Sequence, residues 1–219
     1  MNGFFNMDNA FFSGLGKLCD MFLLSIVWAI LCIPIITIGP ASTGLYYAMV
    51  KVIRRERGYV MREFFKSFRL NFKRGAIAGT FIAIMYFVLF FDIVLYWTQI
   101  GETFDNKSIM LGIFVAITFL LTCFATYVFP ILSRFDMTLK QLFKAAFYMA
   151  MRHLPSTLGM VIVTAVAAVA TMFMWILIFI LPAVVTLINS LMMERVLKKY
   201  MPQAEGAPEE TGKDQWYLE

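Results

Sequence analysis

The sequence predicts an all-α integral membrane protein with five transmembrane helices. Of its 219 residues, 61% are hydrophobic and only 15% are charged, whereas about 25% of the residues in soluble domains are charged. Five apolar segments are long enough to cross ~30 Å of hydrocarbon, which takes about 20 residues each. The 19 Lys and Arg residues are concentrated between or after those segments, as is typical of cytoplasmic loops.

The first three spans are separate apolar segments. They are predicted at residues 21–38, 76–97 and 109–132. After His153 no charged residue occurs until Glu194, and one helix over that segment would be about 60 Å long at 1.5 Å per residue. Because this is twice the membrane thickness, the segment is predicted to fold into spans at 156–173 and 175–193, with a turn near Met174.

The positions of the basic residues predict the orientation. Segment 40–75 contains nine Lys and Arg residues, segment 133–154 contains four, and the chain from residue 195 contains four more. A five-span protein places all of these on one face and leaves Lys17 and Lys107 on the other. Since basic residues are retained in the cytoplasm, the N-terminus is predicted outside and the C-terminus inside.

A helix elbow is predicted where the first span meets the basic segment. Pro34 and Pro40 cannot both lie inside a straight helix, because proline lacks an N–H and crowds the preceding turn. Pro40 suits the first turn of a new helix. The elbow, formed by Pro34, Gly39 and Pro40, therefore predicts a helix that ends near Ile38 and restarts at Ala41 along the inner face of the membrane.

Two inner-face helices are predicted, over residues 41–74 and 138–152. Within the first, phenylalanines recur at helical spacing with basic residues on the opposite side, as in helices that lie in the headgroup plane. A similar pattern recurs 78 residues later, which indicates a duplicated span–interfacial helix–span unit or independent convergence on a basic amphipathic helix. The candidate residues for docking a partner or lipid are Arg62, Phe64, Phe65, Lys66, Arg69, Phe143 and Lys144.

Asp92 is the one acidic residue well inside a predicted span. A charge at membrane depth is costly and indicates function by default. Asp92 either reaches the outer interface in a structural role or takes part in cation or proton movement. A small membrane transporter or channel using Asp92 is therefore the alternative function.

The chemistry of an enzyme is not evident in the sequence. Cys19, Cys32, Cys123 and the single His153 do not have the spacing of a metal site, and no nucleophile–base pair or paired carboxylates are recognisable. We expect no enzyme activity, no cofactor and no metal. Residues 201–219 are rich in Glu, Gly and Pro and are predicted to be a disordered cytoplasmic tail.

The elbow sequence from Pro34 to Gly44 and the basic segment from Phe64 to Gly75 resemble the YesL family of bacterial membrane proteins. That family is defined mainly by a domain of unknown function, and no catalytic residues are carried over from it. The resemblance implies a multi-pass protein of the bacterial plasma membrane, with an accessory or regulatory role in ABC-type carbohydrate uptake. The resemblance thus implies a sugar permease or its ATPase as a partner. The apolar segments make the lipid bilayer a partner, and no nucleic-acid partner is expected, because the basic residues are needed at the inner interface.

Overall fold

The computed structural model describes residues 10–99 and 107–200, and the predicted tail at 201–219 lies outside them. These residues form α-helices with no β-strand among the elements described. The helices are α1 (Ala10–Leu31), α2 (Ile38–Ala48), α3 (Val60–Leu70), α4 (Phe72–Gln99), α5 (Lys107–Arg134), α6 (Leu139–Arg152), α7 (Leu154–Phe173) and α8 (Leu181–Leu197). Two 3₁₀ helices, Ile35–Thr37 and Trp175–Phe179, and a π-helix, Met49–Arg54, complete the described elements.

Four helices contain stretches that are long and apolar enough to cross a membrane. The stretches are Gly14–Leu31 in α1, Phe72–Thr98 in α4, Ile109–Arg134 in α5 and Leu154–Phe173 in α7. Each overlaps one of the first four predicted spans. The chain is therefore an all-α, multi-pass membrane protein.

The segment predicted as the fifth span is interrupted. The α7 helix ends at Phe173, as the turn predicted near Met174 requires, but Trp175–Phe179 is 3₁₀ and α8 begins only at Leu181. Pro182 occupies the first turn of α8, where its missing N–H costs little, and does not kink a longer helix. Only the 17 residues of α8 remain as regular α-helix.

Ser25 of α1 forms hydrogen bonds with backbone groups at this interruption. Its hydroxyl donates to the carbonyl oxygen of Ile180 at 3.3 Å and accepts the backbone N–H of Ala183 at 3.2 Å. Polar backbone groups left without partners in hydrocarbon cost several kcal/mol each. One buried serine therefore allows a broken helix at membrane depth and joins α1 to α8.

The elbow begins earlier in the chain than was predicted. The first helix ends at Leu31 rather than near Ile38, because Pro34 removes a donor and disfavours helical conformation in the residue before it. After the 3₁₀ turn, α2 begins at Ile38 with Pro40 in its first turn, where proline was predicted. Thr37 closes the turn by donating its hydroxyl to the carbonyl oxygens of Leu31 and Pro34.

Beyond the elbow, α2 and the π-helix return along α1 as an antiparallel hairpin. Near the turn, the indole N–H of Trp28 donates to Ser42 Oγ at 3.2 Å. At the far end of the hairpin, Lys17 forms an ion pair with Glu56. The reversal at Pro34 therefore brings Lys17 next to the basic segment, whereas the sequence predicted the two on opposite faces of the membrane.

The α2 helix is a core helix. The prediction that residues 41–74 lie along the inner face is therefore wrong for α2. The helix contacts α1, α3, α4, α5 and α8, and most of its residues are buried. A Cβ on Gly39 would overlap the carbonyl oxygen of Gly75, and one on Gly79 would come within 2.6 Å of the Gly39 nitrogen. Glycine at this crossing lets the backbones of α2 and α4 touch.

The predicted duplication extends only to the inner-face helices and the spans that follow them. Phe64 of α3 and Leu142 of α6, which are 78 positions apart, are both fully buried. The hairpin that precedes α3 has no equivalent before α6, since only residues 135–138 separate α5 from α6. The two units are therefore not full copies.

Candidate functional site

The exposed face of α3 contains most of the predicted docking residues. Arg62, Lys66 and Arg69 are exposed, and Phe65 is 38% exposed among them. Phe64, in contrast, is fully buried and covers Gly44 of α2. Phe64 is therefore a core residue that holds α3 in place, and its assignment to a docking surface is wrong.

An ion pair fixes α3 to the π-helix. Lys51 Nζ lies 2.8 Å from Glu63 Oε2, and both side chains are about nine-tenths buried. Burial lowers the pKa of Lys51, but the hydrogen bonds to Glu63 and Tyr47 outweigh it, so that the pKa lies above its ordinary value. The charged state of Lys51 is thus stabilised, and the ion pair links α3 to the π-helix on the side away from its basic face.

On α6, the two predicted docking residues have different environments. Lys144 is exposed. The Phe143 ring lies 5.6 Å from the rings of both Phe81 and Phe124, measured between centroids. Phe143 therefore packs α6 against α4 and α5 and is partly buried, so its role as a docking residue stays a prediction.

A buried charged cluster was missed by the sequence analysis. Glu194 of α8 lies 2.6 Å from Arg134 Nη2 and accepts a 2.7 Å hydrogen bond from the Tyr46 hydroxyl. The Arg134 and Glu194 side chains are 1% and 6% exposed. The signal that was available is that Glu194 is the first charge after a long apolar segment.

The surroundings shift the pKa values of two residues at this cluster. Burial, followed by the charge of Glu194, raises the pKa of Tyr46 well above its ordinary value, so that its hydroxyl remains a hydrogen-bond donor. Burial, followed by the charge of Arg134, lowers the pKa of Arg55. The neighbouring Arg54 donates to the carbonyl oxygen of Ser190 at 2.9 Å. The cluster therefore joins α2, α5 and α8 and the π-helix as one ionic and hydrogen-bonded unit.

Asp92 is half-buried on α4. It has no hydrogen bond or ion pair to another residue in the described part of the chain. The structure does not bring it together with the predicted docking residues. Both interpretations of Asp92, structural and ion-conducting, remain predictions.

A cavity of about 650 Å³ lies between α1, α2, α4, α5, α7 and α8. Threonines from three helices line it, Thr122 and Thr126 on α5, Thr164 and Thr171 on α7, and Thr186 on α8. Their spacings of four and seven residues place each pair on one helix face, a signal that the sequence analysis did not use. The elbow lies outside the lining residues, and so does Asp92.

The comparisons with known proteins identify one region. Residues 21–93 match a family described as "Protein of unknown function, DUF624". This region comprises the second half of α1, the elbow, α2, the π-helix, α3 and most of α4. No curated protein and no solved structure matches the chain. Residues 21–93 are therefore similar to this family, of which the YesL family is the known group.

Proposed function

We propose that this protein is an accessory or regulatory component of the bacterial plasma membrane that acts through the basic face of α3 and the neighbouring surface of α6. The observation that carries the proposal is the exposure of Arg62, Lys66 and Arg69 around Phe65, on a helix whose other face is anchored in the core. The association with ABC-type carbohydrate uptake is the part that the resemblance to the YesL family implies.

The proposal includes an orientation that differs from the five-span arrangement with an outside N-terminus. We propose that α4, α5, α7 and the 3₁₀ helix with α8 cross the membrane, and that the α1–α2 hairpin enters it from the inner face. The Lys17–Glu56 ion pair supports this arrangement. It leaves position 107 as the one basic position of the described residues on the outer face, in agreement with the retention of basic residues in the cytoplasm.

The docking surface has the chemistry of an anion-binding face. Each basic residue near an anionic membrane contributes ~1 kcal/mol of attraction, and exposed aromatic side chains insert into grooves of partner proteins. The exposed Leu70 and Tyr59, at 81% and 77%, extend the apolar part of this surface at both ends of α3. We propose no catalytic role for this surface. We propose none for Glu194 either, because Arg134 and Tyr46 hold its buried carboxylate in a structural cluster.

The experiment is photo-crosslinking in native membranes with a crosslinking amino acid at position 66 or 144. We expect crosslinks to a sugar permease or its ATPase, and we expect the variant R62E/K66E/R69E to lose that partner in a pull-down. The matched control is R195E/K198E/K199E, which reverses three charges at the end of α8 and should retain the partner. Crosslinks to lipid alone, with no protein partner, would contradict the accessory role.

A small transporter or channel is the second candidate, and the membrane-depth cavity is the observation that favours it. Asp92 does not line that cavity, so a transport function using Asp92 requires a separate path along α4. Proton or cation flux in liposomes that D92N abolishes would support this candidate. Flux that is absent from both proteins would contradict this candidate, and flux that is equal in D92N and wild type would contradict the role of Asp92 in it.

A further inference from the structure

Aromatic, basic and imidazole side chains meet where α6, α7 and the end of α8 come together. The Nε2 atom of His153 lies 3.0 Å from the Tyr200 hydroxyl, and the centroids of the two rings are 5.8 Å apart. Tyr148 packs edge-on against Tyr200 with 6.4 Å between ring centroids, and Arg152 donates a hydrogen bond to the Tyr148 hydroxyl. Together with Lys199, these four residues are called the His153 cluster.

The fixed charges of this cluster are positive. Burial, followed by the charges of Lys199 and Arg152, lowers the pKa of His153, so the two charged side chains that act on the imidazole are both cations. Both are exposed. His153 also directly precedes the first residue of α7, and the N-terminus of a helix carries a partial positive charge that favours anions. An anion at this position would therefore be attracted by the side chains and by the helix backbone.

The position of the cluster along the chain places it at the depth of lipid headgroups. The stretch of α7 that is able to cross a membrane begins at Leu154, so His153 lies at the boundary between hydrocarbon and the polar region. Leu154 and Leu158, which are four residues apart on one face of α7, are 57% and 49% exposed, and Met151 before them is 51% exposed. An apolar surface for acyl chains therefore adjoins the cationic cluster.

We propose that the His153 cluster binds the phosphate of an anionic phospholipid. The guanidinium of Arg152 has five N–H donors, of which two suit the oxygens of a phosphate, and the imidazole and the tyrosine hydroxyls donate further hydrogen bonds. A soluble phosphate would use the same donors but would leave Leu154 and Leu158 without an added contact, which is why the structure favours a lipid. The proposal is independent of the docking function of α3.

Binding of a phosphate changes the titration of His153. A negative charge within about 4–6 Å of an imidazole favours its protonated form and offsets the repulsion from Lys199 and Arg152. The chain contains one histidine, so the imidazole signals of a protein made without a histidine tag report on this cluster alone. The occupancy of the site can therefore be measured without assuming any activity of the protein.

The test is an NMR titration of the His153 imidazole in the full-length protein in maltoside micelles. Dioctanoyl phosphatidylglycerol, dioctanoyl phosphatidylcholine and inorganic phosphate are added separately at equal concentration. We expect phosphatidylglycerol to raise the pKa of His153 by about one unit, and phosphatidylcholine and inorganic phosphate to leave it nearly unchanged. Equal pKa values in the two lipids would overturn the proposal, and a rise with inorganic phosphate as large as with phosphatidylglycerol would overturn the assignment to a lipid.

Two double variants of equal net charge test the location. R152Q/K199Q removes two cations of the cluster, whereas K73Q/K140Q removes two exposed lysines at the starts of α4 and α6. We expect the rise in pKa that phosphatidylglycerol causes, relative to phosphatidylcholine, to be lost in R152Q/K199Q and retained in K73Q/K140Q. Equal rises in the two variants would contradict the site and attribute the effect to the surface charge of the micelle. If R152Q/K199Q does not fold, the comparison of the three ligands in wild type decides the matter.

Discussion

Glu194 connects three helices through one carboxylate. It belongs to α8, its ionic partner Arg134 ends α5, and its hydrogen-bond partner Tyr46 lies in α2. Removing one member of a buried ion pair is more damaging than its net contribution to stability suggests, because the remaining charge stays buried without compensation. The carboxylate is therefore a point at which a single substitution tests the packing of the bundle.

We predict that E194Q destabilises the protein by about 3 kcal/mol, because the buried guanidinium of Arg134 loses its carboxylate. The measurement is thermal or denaturant unfolding in detergent. E56Q is the matched control, since Glu56 pairs with Lys17 at an exposed site where ion pairs contribute little. An E194Q variant as stable as E56Q would show that the cluster does not hold α8.

Gly39 provides a second test at the residue scale. We predict that G39A is destabilised by about 1–3 kcal/mol, since the added methyl group overlaps the backbone of Gly75 and α2 must move away from α4. The same unfolding measurement applies. G112A is the control, because a Cβ at Gly112 meets no atom within 4 Å, and it should be as stable as wild type.

His153, at the junction of α6 and α7, is expected to make stability depend on pH. Burial, then the charges of Lys199 and Arg152, lowers its pKa below the ordinary value, and its Nε2 lies 3.0 Å from the Tyr200 hydroxyl. A histidine with a lowered folded-state pKa contributes fully above its unfolded pKa of about 6.5 and loses that contribution as the pH falls through the folded value.

We therefore predict a small decrease in the melting temperature of wild type between pH 7.5 and pH 5.5. The variant H153Q, which does not titrate, should show a smaller decrease over the same interval. Equal decreases in the two proteins would mean that other groups cause the pH dependence.

At the scale of elements, the α1–α2 hairpin is the feature that changes the topology. The predictions from sequence assumed that α1 crosses the membrane once and ends on the other side from Lys17. The apolar length of α1 alone cannot distinguish a crossing helix from one arm of a hairpin. The contacts of Trp28 with Ser42 and of Lys17 with Glu56 distinguish a hairpin from a crossing helix. These are tertiary contacts, which the sequence of α1 does not reveal.

Cysteine labelling tests this hairpin directly. In a background without Cys19, Cys32 and Cys123, we predict that a membrane-impermeant maleimide labels K17C and K199C from the same side of the membrane and K107C from the other. The physical reason is that the chain reverses at Pro34 before it can leave the outer face. Labelling of position 17 together with position 107 would restore an outside N-terminus.

At the scale of the whole molecule, composition and charge were enough to predict an α-helical, multi-pass membrane protein. The turn at Met174 was also predictable, because a helix twice the thickness of the membrane is not possible. The burial of α2 was harder to predict, since a helix that is apolar on every side packs in a core as readily as in lipid. Phe64 and Phe143 were assigned to a docking surface because periodicity identifies an apolar face without identifying what covers it.

The cavity could not be predicted from the sequence for a related reason. Its walls come from six helices that are distant along the chain, and each contributes only a few lining residues. Single threonines in apolar helices are ordinary, and their significance depends on their facing one another across a space. The hydrogen bond between Asn189 and Thr164 likewise depends on how α7 and α8 pack together, which neither helix sequence shows by itself.

The bond between Ser25 and the start of α8 has a consequence for biogenesis. Ser25 leaves the ribosome long before Ile180 and Ala183, which lie 155 and 158 residues later, so the first hairpin inserts without the segment that completes its packing. An insertase or chaperone that shields the exposed side of α1 during translation would bridge this interval. Truncation of the chain before residue 180 is then expected to leave the nascent protein open to membrane proteases.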